Sequence, residues 1–193
     1  MKQRTTRELF AHWNALRGER AAPERAEVDP VAVGDALSDT FVLEYADDGA
    51  HRVRLAGSRI ASLILREPRG EPFADLWRKT DRAAVVALVD GVCDGQTPAV
   101  AGVIAAPRGL APARYELLLL PLRHRGRTHA RLLGSLATDE APTWLGLIPT
   151  DPLELGPVRS LFREDGAERP RASPARPAMR VIEGGMAGVL RSR

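Results

Sequence analysis

Apolar residues first recur at helical spacing. Leu9, Trp13 and Leu16 follow one another at intervals of four and three, with Phe10 beside them, so the chain from Thr5 to Gly18 predicts an amphipathic helix. Thr5-x-x-Glu8 matches a capping box at its start, and Gly18 can close it in a left-handed cap. Residues 19–29 are charged, carry Pro23 and read as a linker. Asp29-Pro30 then starts a short helical turn through Val31, Val33 and Leu37, because proline suits a first helical position. After Thr40 the period changes to two. Phe41, Leu43 and Tyr45 alternate along one strand, and Val53 and Leu55 along the next. A two-residue turn at Asp48-Gly49 would set Leu43 opposite Arg54, a charge on the apolar face. A three-residue loop, Asp47-Asp48-Gly49, instead pairs Leu43 with Val53, Phe41 with Leu55 and Glu44 with Arg52.

Gly57 breaks the second strand, and Ser58 can cap a short helix carrying Ile60, Leu63 and Ile64. Residues 66–72 are irregular, and Phe73 to Trp77 makes a brief helical turn. Thr80 or Asp81 caps a longer helix to Val92, with Val85, Leu88, Val89 and Val92 along one side. Three more strands are expected at about 97–105, 113–124 and 128–137. The middle one holds Leu117-Leu118-Leu119-Leu120, apolar on both faces, as a strand covered on both sides requires. Pro121 cannot donate to a ladder and should mark a bulge or a solvent-facing edge. Arg125-Gly126-Arg127 reads as a tight turn. From about residue 141 prolines punctuate short apolar pieces. Residues 164–178 offer almost nothing to bury and read as disordered, followed by a small apolar island from Arg180 to Gly185. The expected organisation is a helix and linker (1–28), a core (29–140), a Pro-punctuated extension (141–163) and a flexible basic tail (164–193).

Composition narrows the classes. The 193 residues are 44% hydrophobic but only 5% aromatic, so the core is built mostly of Leu, Val, Ile and Ala. One cysteine, Cys93, excludes an internal disulfide and a cysteine-based zinc cage. Met1-Lys2-Gln3-Arg4 runs straight into a charged helical pattern, and no apolar stretch approaches the ~18 residues of a membrane span, so a cytoplasmic location is expected. The net charge of +3 is unevenly placed: residues 159–193 hold eight Arg against four acids, which leaves residues 1–158 at −1. A near-neutral body disfavours nucleic acid as the main partner, and the tail reads as a solvated linker, with weak, salt-sensitive contacts to nucleic acid or anionic lipid as the alternative.

The order of elements is helix, hairpin, short helices, longer helix and three antiparallel strands. In wording, Leu9-Phe10-Ala11-His12-Trp13, Arg54-Leu55-Ala56-Gly57-Ser58-Arg59 and Arg69-Gly70-Glu71-Pro72-Phe73-Ala74-Asp75-Leu76-Trp77 resemble the landmarks of the stand-alone PAS proteins of alphaproteobacteria, over about residues 5–140. The resemblance implies an α+β fold, a five-stranded antiparallel sheet with helices against one face, and a sensing or docking role. It passes on no functional residues.

Candidate chemistry is sparse. His12, His51, His124 and His129 form no metal-spaced pair, and Cys93 is distant from all of them in sequence. The phosphate-binding loops and the nucleophile elbow are absent. No catalytic residue and no metal ligand is assigned. No cofactor is expected: Ser58 to Leu65 lacks the cysteine that flavin-adduct PAS domains place there, and Thr80 to Val92 lacks an axial histidine for haem, although Cys93 follows it. What remains is an uncharged pocket lined by Leu43, Val53, Leu55, Trp77, Val85 and Val89, or the same residues packed on one another. Arg54 points to the other face, toward Glu44 or Glu116. Leu9, Phe10, Trp13 and Leu16 serve either to fold the first helix onto the domain or to contact a partner. Met179 to Ile182 could add as a strand to a partner's sheet. The expectation is a non-enzymatic sensor or adaptor acting through a protein partner or homodimer, with a small-metabolite or second-messenger binder as the alternative and a nucleic-acid accessory role third.

Overall fold

The computed structural model describes residues 1–124 and 127–161. Among these residues four helices, α1 (Arg4–Arg17), α2 (Pro30–Val33), α3 (Ser58–Ile64) and α4 (Arg82–Gly95), accompany six strands. These are β1 (Thr40–Tyr45), β2 (His51–Ala56), β3 (Ala99–Ala105), β4 (Ala113–His124), β5 (Arg127–Ala137) and β6 (Glu154–Ser160). Shorter 3-10 turns occupy Gly34–Asp39 and Phe73–Leu76. The expected tail at 164–193, the Met179 to Ile182 segment and most of the Arg125-Gly126-Arg127 turn lie outside the described residues.

All six strands form one antiparallel sheet in the order β2-β1-β5-β4-β3-β6. The expected sheet had five. The sixth strand comes from the extension, whose Pro and Gly hid it, and it pairs along β3 from Ala99↔Ser160 to Ile104↔Glu154. The rest of the extension is bound as closely: the Gly146 amide donates to the Ser62 carbonyl at 3.2 Å and the Thr150 amide to that of Leu63 at 2.9 Å.

The leucine run behaves as expected of a doubly covered strand. Leu117 and Leu119 enter one core with Phe41, Leu43, Trp77 and the Val85–Val89 side of α4. Leu118 and Leu120 enter a second core with Leu9, Trp13, Val42 and Leu133. Helices therefore cover both faces: α3 and α4 lie on the first, and α1 on the second. Fully burying side chains such as Leu9 and Trp13 stabilises by about 1.5–3 kcal/mol each. Pro121 is buried rather than set at a solvent-facing edge. It pairs with Leu132 of β5 but has no partner in β3, which begins at Ala99, opposite Leu119. The Pro121 carbonyl accepts the Trp13 indole N–H at 2.8 Å.

The three-residue hairpin loop forms, with Gly49 at φ +79° and the Gly49 amide donating to the Ala46 carbonyl at 3.0 Å. Leu43↔Val53 and Glu44↔Arg52 pair as expected. Beyond them a bulge at Arg54 shifts the register, so Val42 faces Leu55 and Phe41 faces Ala56, and the expected Phe41–Leu55 pair is not formed. The capping box fails too. Gln3 is the N-cap of α1, while Thr5 donates its hydroxyl to Asp39 at 3.2 Å and Glu8 pairs with Arg4. Partners other than the helix's own amides take both side chains. Neither does the Ser58 hydroxyl cap α3, which starts from Gly57.

Candidate functional site

The expected pocket lies on the face of the sheet covered by α3 and α4. Leu43, Val53, Trp77, Val85 and Val89 are all buried there. An aromatic series, Phe41 on Phe73 at 5.1 Å and Phe73 on Trp77 at 5.7 Å between ring centres, fills the space between β1 and the Phe73–Leu76 turn. The cavity left beside Val53 and Trp77 is only about 20 Å³, room for a single water. Val85 and Val89 border a separate hollow of about 50 Å³ near His51. Leu55 does not belong to this lining. The bulge turns it to the opposite face on the edge strand β2, where it is 48% exposed.

The first helix uses its apolar stripe within the domain. Leu9 and Trp13 are buried against β4 and β5, and Phe10 and Leu16 are half-buried at the margin of the same core, Phe10 stacked on Trp13 at 6.0 Å. Leu9 and Trp13 therefore present no surface to a partner, because the second face of the sheet needs them as its cover. Arg54 reaches Glu44 at 3.1 Å, and Arg131 pairs with the same carboxylate, which holds it below the usual carboxylate range. Glu116 instead accepts the amides of Lys2 at 2.9 Å and Gln3 at 3.1 Å.

Cys93 is buried, and desolvation pushes its thiol up to about 12, so it is a packing residue with no thiolate at neutral pH. The His51 ring lies 2.8 Å from the Asp90 carboxylate. Among the described residues no three His, Cys, Asp or Glu side chains group to hold a metal ion.

Beside the filled core lies a polar cavity that the sequence did not suggest. Asp39, at the end of the Gly34–Asp39 turn, is 2% exposed and accepts Arg59 of α3 at 2.6 Å and Thr5 of α1 at 3.2 Å. Desolvation raises its carboxyl above the usual range, with Arg59 and Thr5 opposing. Tyr115 of β4 borders the same cavity, and its hydroxyl is raised to about 12 by burial and by the Asp39 charge. No signal in the sequence links positions 39, 59 and 115. They meet only where the turn before β1, the start of α3 and β4 converge.

Over residues 1–137 the chain is matched by the profile of a known family, described as the PAS domain. The chain belongs to the PAS-domain family. No curated protein matches it. PAS domains are sensory modules of signalling proteins, which supports a signalling role for this chain at that level. In this PAS protein the family match ends at Ala137, while α3's covering loop and β6 come from the residues that follow. Among the described residues no helix is long and apolar enough to cross a membrane.

Proposed function

We propose that this PAS protein is a cytoplasmic, non-enzymatic sensor or adaptor whose output passes through contact with another protein or a second copy of itself. The observation behind this is an apolar surface beside α3. Leu65, Leu147 and Ile148 are 44%, 75% and 44% exposed, and the hydrogen bonds from Gly146 and Thr150 to Ser62 and Leu63 hold their segments together. Single exposed apolar residues are ordinary, whereas adjoining ones mark interaction surfaces. Leu65 also adopts the left-handed conformation at φ +51°, which a branched side chain enters at a cost of order 1 kcal/mol.

The filled core supports surface output over a large resident cofactor. Beside Trp77 there is space for one water, and a haem or flavin would require the Phe41–Phe73–Trp77 series to part. The test uses the full chain with Leu147→Ser and Ile148→Ser together. Sedimentation velocity and affinity capture from source cells should lose a dimer or a specific partner, with circular dichroism unchanged. A contact that survives the double substitution overturns the assignment.

A further inference from the structure

The cavity bordered by Asp39, Arg59 and Tyr115 holds about 150 Å³, far more than the core hollow beside Trp77. One wall is apolar, made by Ile60, Leu63 and Leu136, and Ala141 and Leu145 complete it from the extension. The polar side is unusual in one respect. The Tyr115 hydroxyl is buried, with the residue 7% exposed, and has no hydrogen-bond partner. A buried hydroxyl left unpaired costs about 1–3 kcal/mol, and Tyr115 is one of the residues that line the cavity, so a ligand head group reaching that hydroxyl would relieve the cost.

We propose that this cavity binds a small uncharged amphipathic molecule, with an apolar body the size of one ring and a hydroxyl or amide head held between the Tyr115 hydroxyl and the Asp39 carboxylate. The size follows from the volume, since a cavity of about 150 Å³ accommodates a benzene-sized molecule. The charge follows from the walls. An anion would meet Asp39 and Asp139 against a single guanidinium, and that guanidinium, Arg59, is already engaged by Asp39 at 2.6 Å. A cation would be repelled by Arg59, and the Asp39 carboxylate that could hold it is already neutralised by that guanidinium. A neutral head group meets neither objection: it can accept from Tyr115 and donate to Asp39. Arg59 and Thr5 hold Asp39 in place, so the acceptor is fixed before a ligand arrives.

Part of this site lies outside the family match. Thr138, Asp139, Ala141 and Leu145 follow residue 137, so the site belongs to this chain's own extension as well as to the PAS fold. It is independent of the protein-contact reading above, because none of Leu65, Leu147 and Ile148 borders the cavity.

The experiment is ligand-observed NMR and calorimetry on the full chain with phenol, toluene, benzoate and benzylammonium. Phenol should bind saturably at ~0.1–1 mM, within the efficiency limits of a ligand this small. Toluene, benzoate and benzylammonium should each bind at least several-fold more weakly. Tyr115→Phe should weaken phenol about 3–10-fold, the worth of one hydrogen bond, while raising the melting temperature of the unliganded protein by removing the orphaned hydroxyl. A merely structural tyrosine would not move these two readouts in opposite directions. Three results would each overturn the proposal: toluene binding as tightly as phenol, phenol affinity unchanged in Tyr115→Phe, or no saturable phenol binding up to ~10 mM. The Leu147→Ser, Ile148→Ser protein should keep its phenol binding, so failure of one proposal leaves the other standing.

Discussion

Gly134 on β5 has no room for a methyl group, and this makes Gly134→Ala a direct probe of how the sheet and the aromatic series fit together. A Cβ placed there would lie 2.3 Å from Phe41 Cζ, 2.6 Å from Phe41 Cε2 and 2.8 Å from the Leu118 carbonyl oxygen. The carbonyl belongs to the β4–β5 ladder, where Leu118 pairs with Ser135, so it cannot retreat without breaking register. The Phe41 ring must move instead, and it is stacked on Phe73, which in turn meets Trp77. Overpacking of this kind costs about 1–3 kcal/mol, and the lower unfolded-state entropy of alanine offsets about 0.4–1 kcal/mol of it. A net loss of about 1–2 kcal/mol is expected, which lowers the melting temperature by about 2–8 °C in a domain of this size. Urea and thermal denaturation followed by circular dichroism measure it. Phe41→Leu vacates the contested space, so in a double-mutant cycle Gly134→Ala should cost less by about 1 kcal/mol when Phe41→Leu is already present. Additive effects of the two substitutions, or a melting temperature unchanged by Gly134→Ala, would refute the close approach.

Two further outcomes follow from the titratable groups. Glu44 has its pKa lowered first by the hydrogen bond from Arg131, so its contribution is present above the unfolded carboxylate range and is lost as pH falls through the folded value. Glu44→Gln should therefore cost about 0.5–1 kcal/mol at pH 7, allowing for solvent screening, and nothing in strong acid; an equal cost at about pH 7 and about pH 2.5 in urea titrations would contradict the assignment. Asp39, whose carboxyl is raised, acts in the opposite sense in both proteins and cancels from that difference. Cys93, buried with its thiol raised to about 12, should resist iodoacetamide at about pH 8 until the protein unfolds, so alkylation measured by mass spectrometry should follow the urea unfolding curve. Rapid alkylation of the native protein would place Cys93 elsewhere.

Where a residue's environment repeats along its own element, the sequence was readable. Leu117 to Leu120 announced a strand covered on both faces, and the structure divides them between two cores. Asp47-Asp48-Gly49 specified its loop because the alternative turn put Arg54 on an apolar face. Leu9 and Trp13 were legible as an apolar stripe, but not what the stripe covers, since the same pattern suits a partner or the chain's own sheet. The reading of Leu55 failed at the bulge, because an inserted residue changes the face of everything beyond it while leaving the alternation looking intact.

The amino-acid pattern by itself determined the order of the elements, the hairpin loop and the central strand, because each depends on neighbours a few residues away. Only the tertiary structure decided the sixth strand and the polar cavity. Glu154–Ser160 carries Gly156 and Pro157 and has little strand character alone. It becomes a strand because β3 offers it an edge, and because Gly156 lets the backbones close: a Cβ there would be 2.9 Å from the Gly102 carbonyl oxygen. Asp39, Arg59 and Tyr115 are drawn together across 76 positions by strand pairing and by the seating of α3. Local periodicity reports which face a residue turns inward, and strand pairing and helix seating determine which distant residue it meets there.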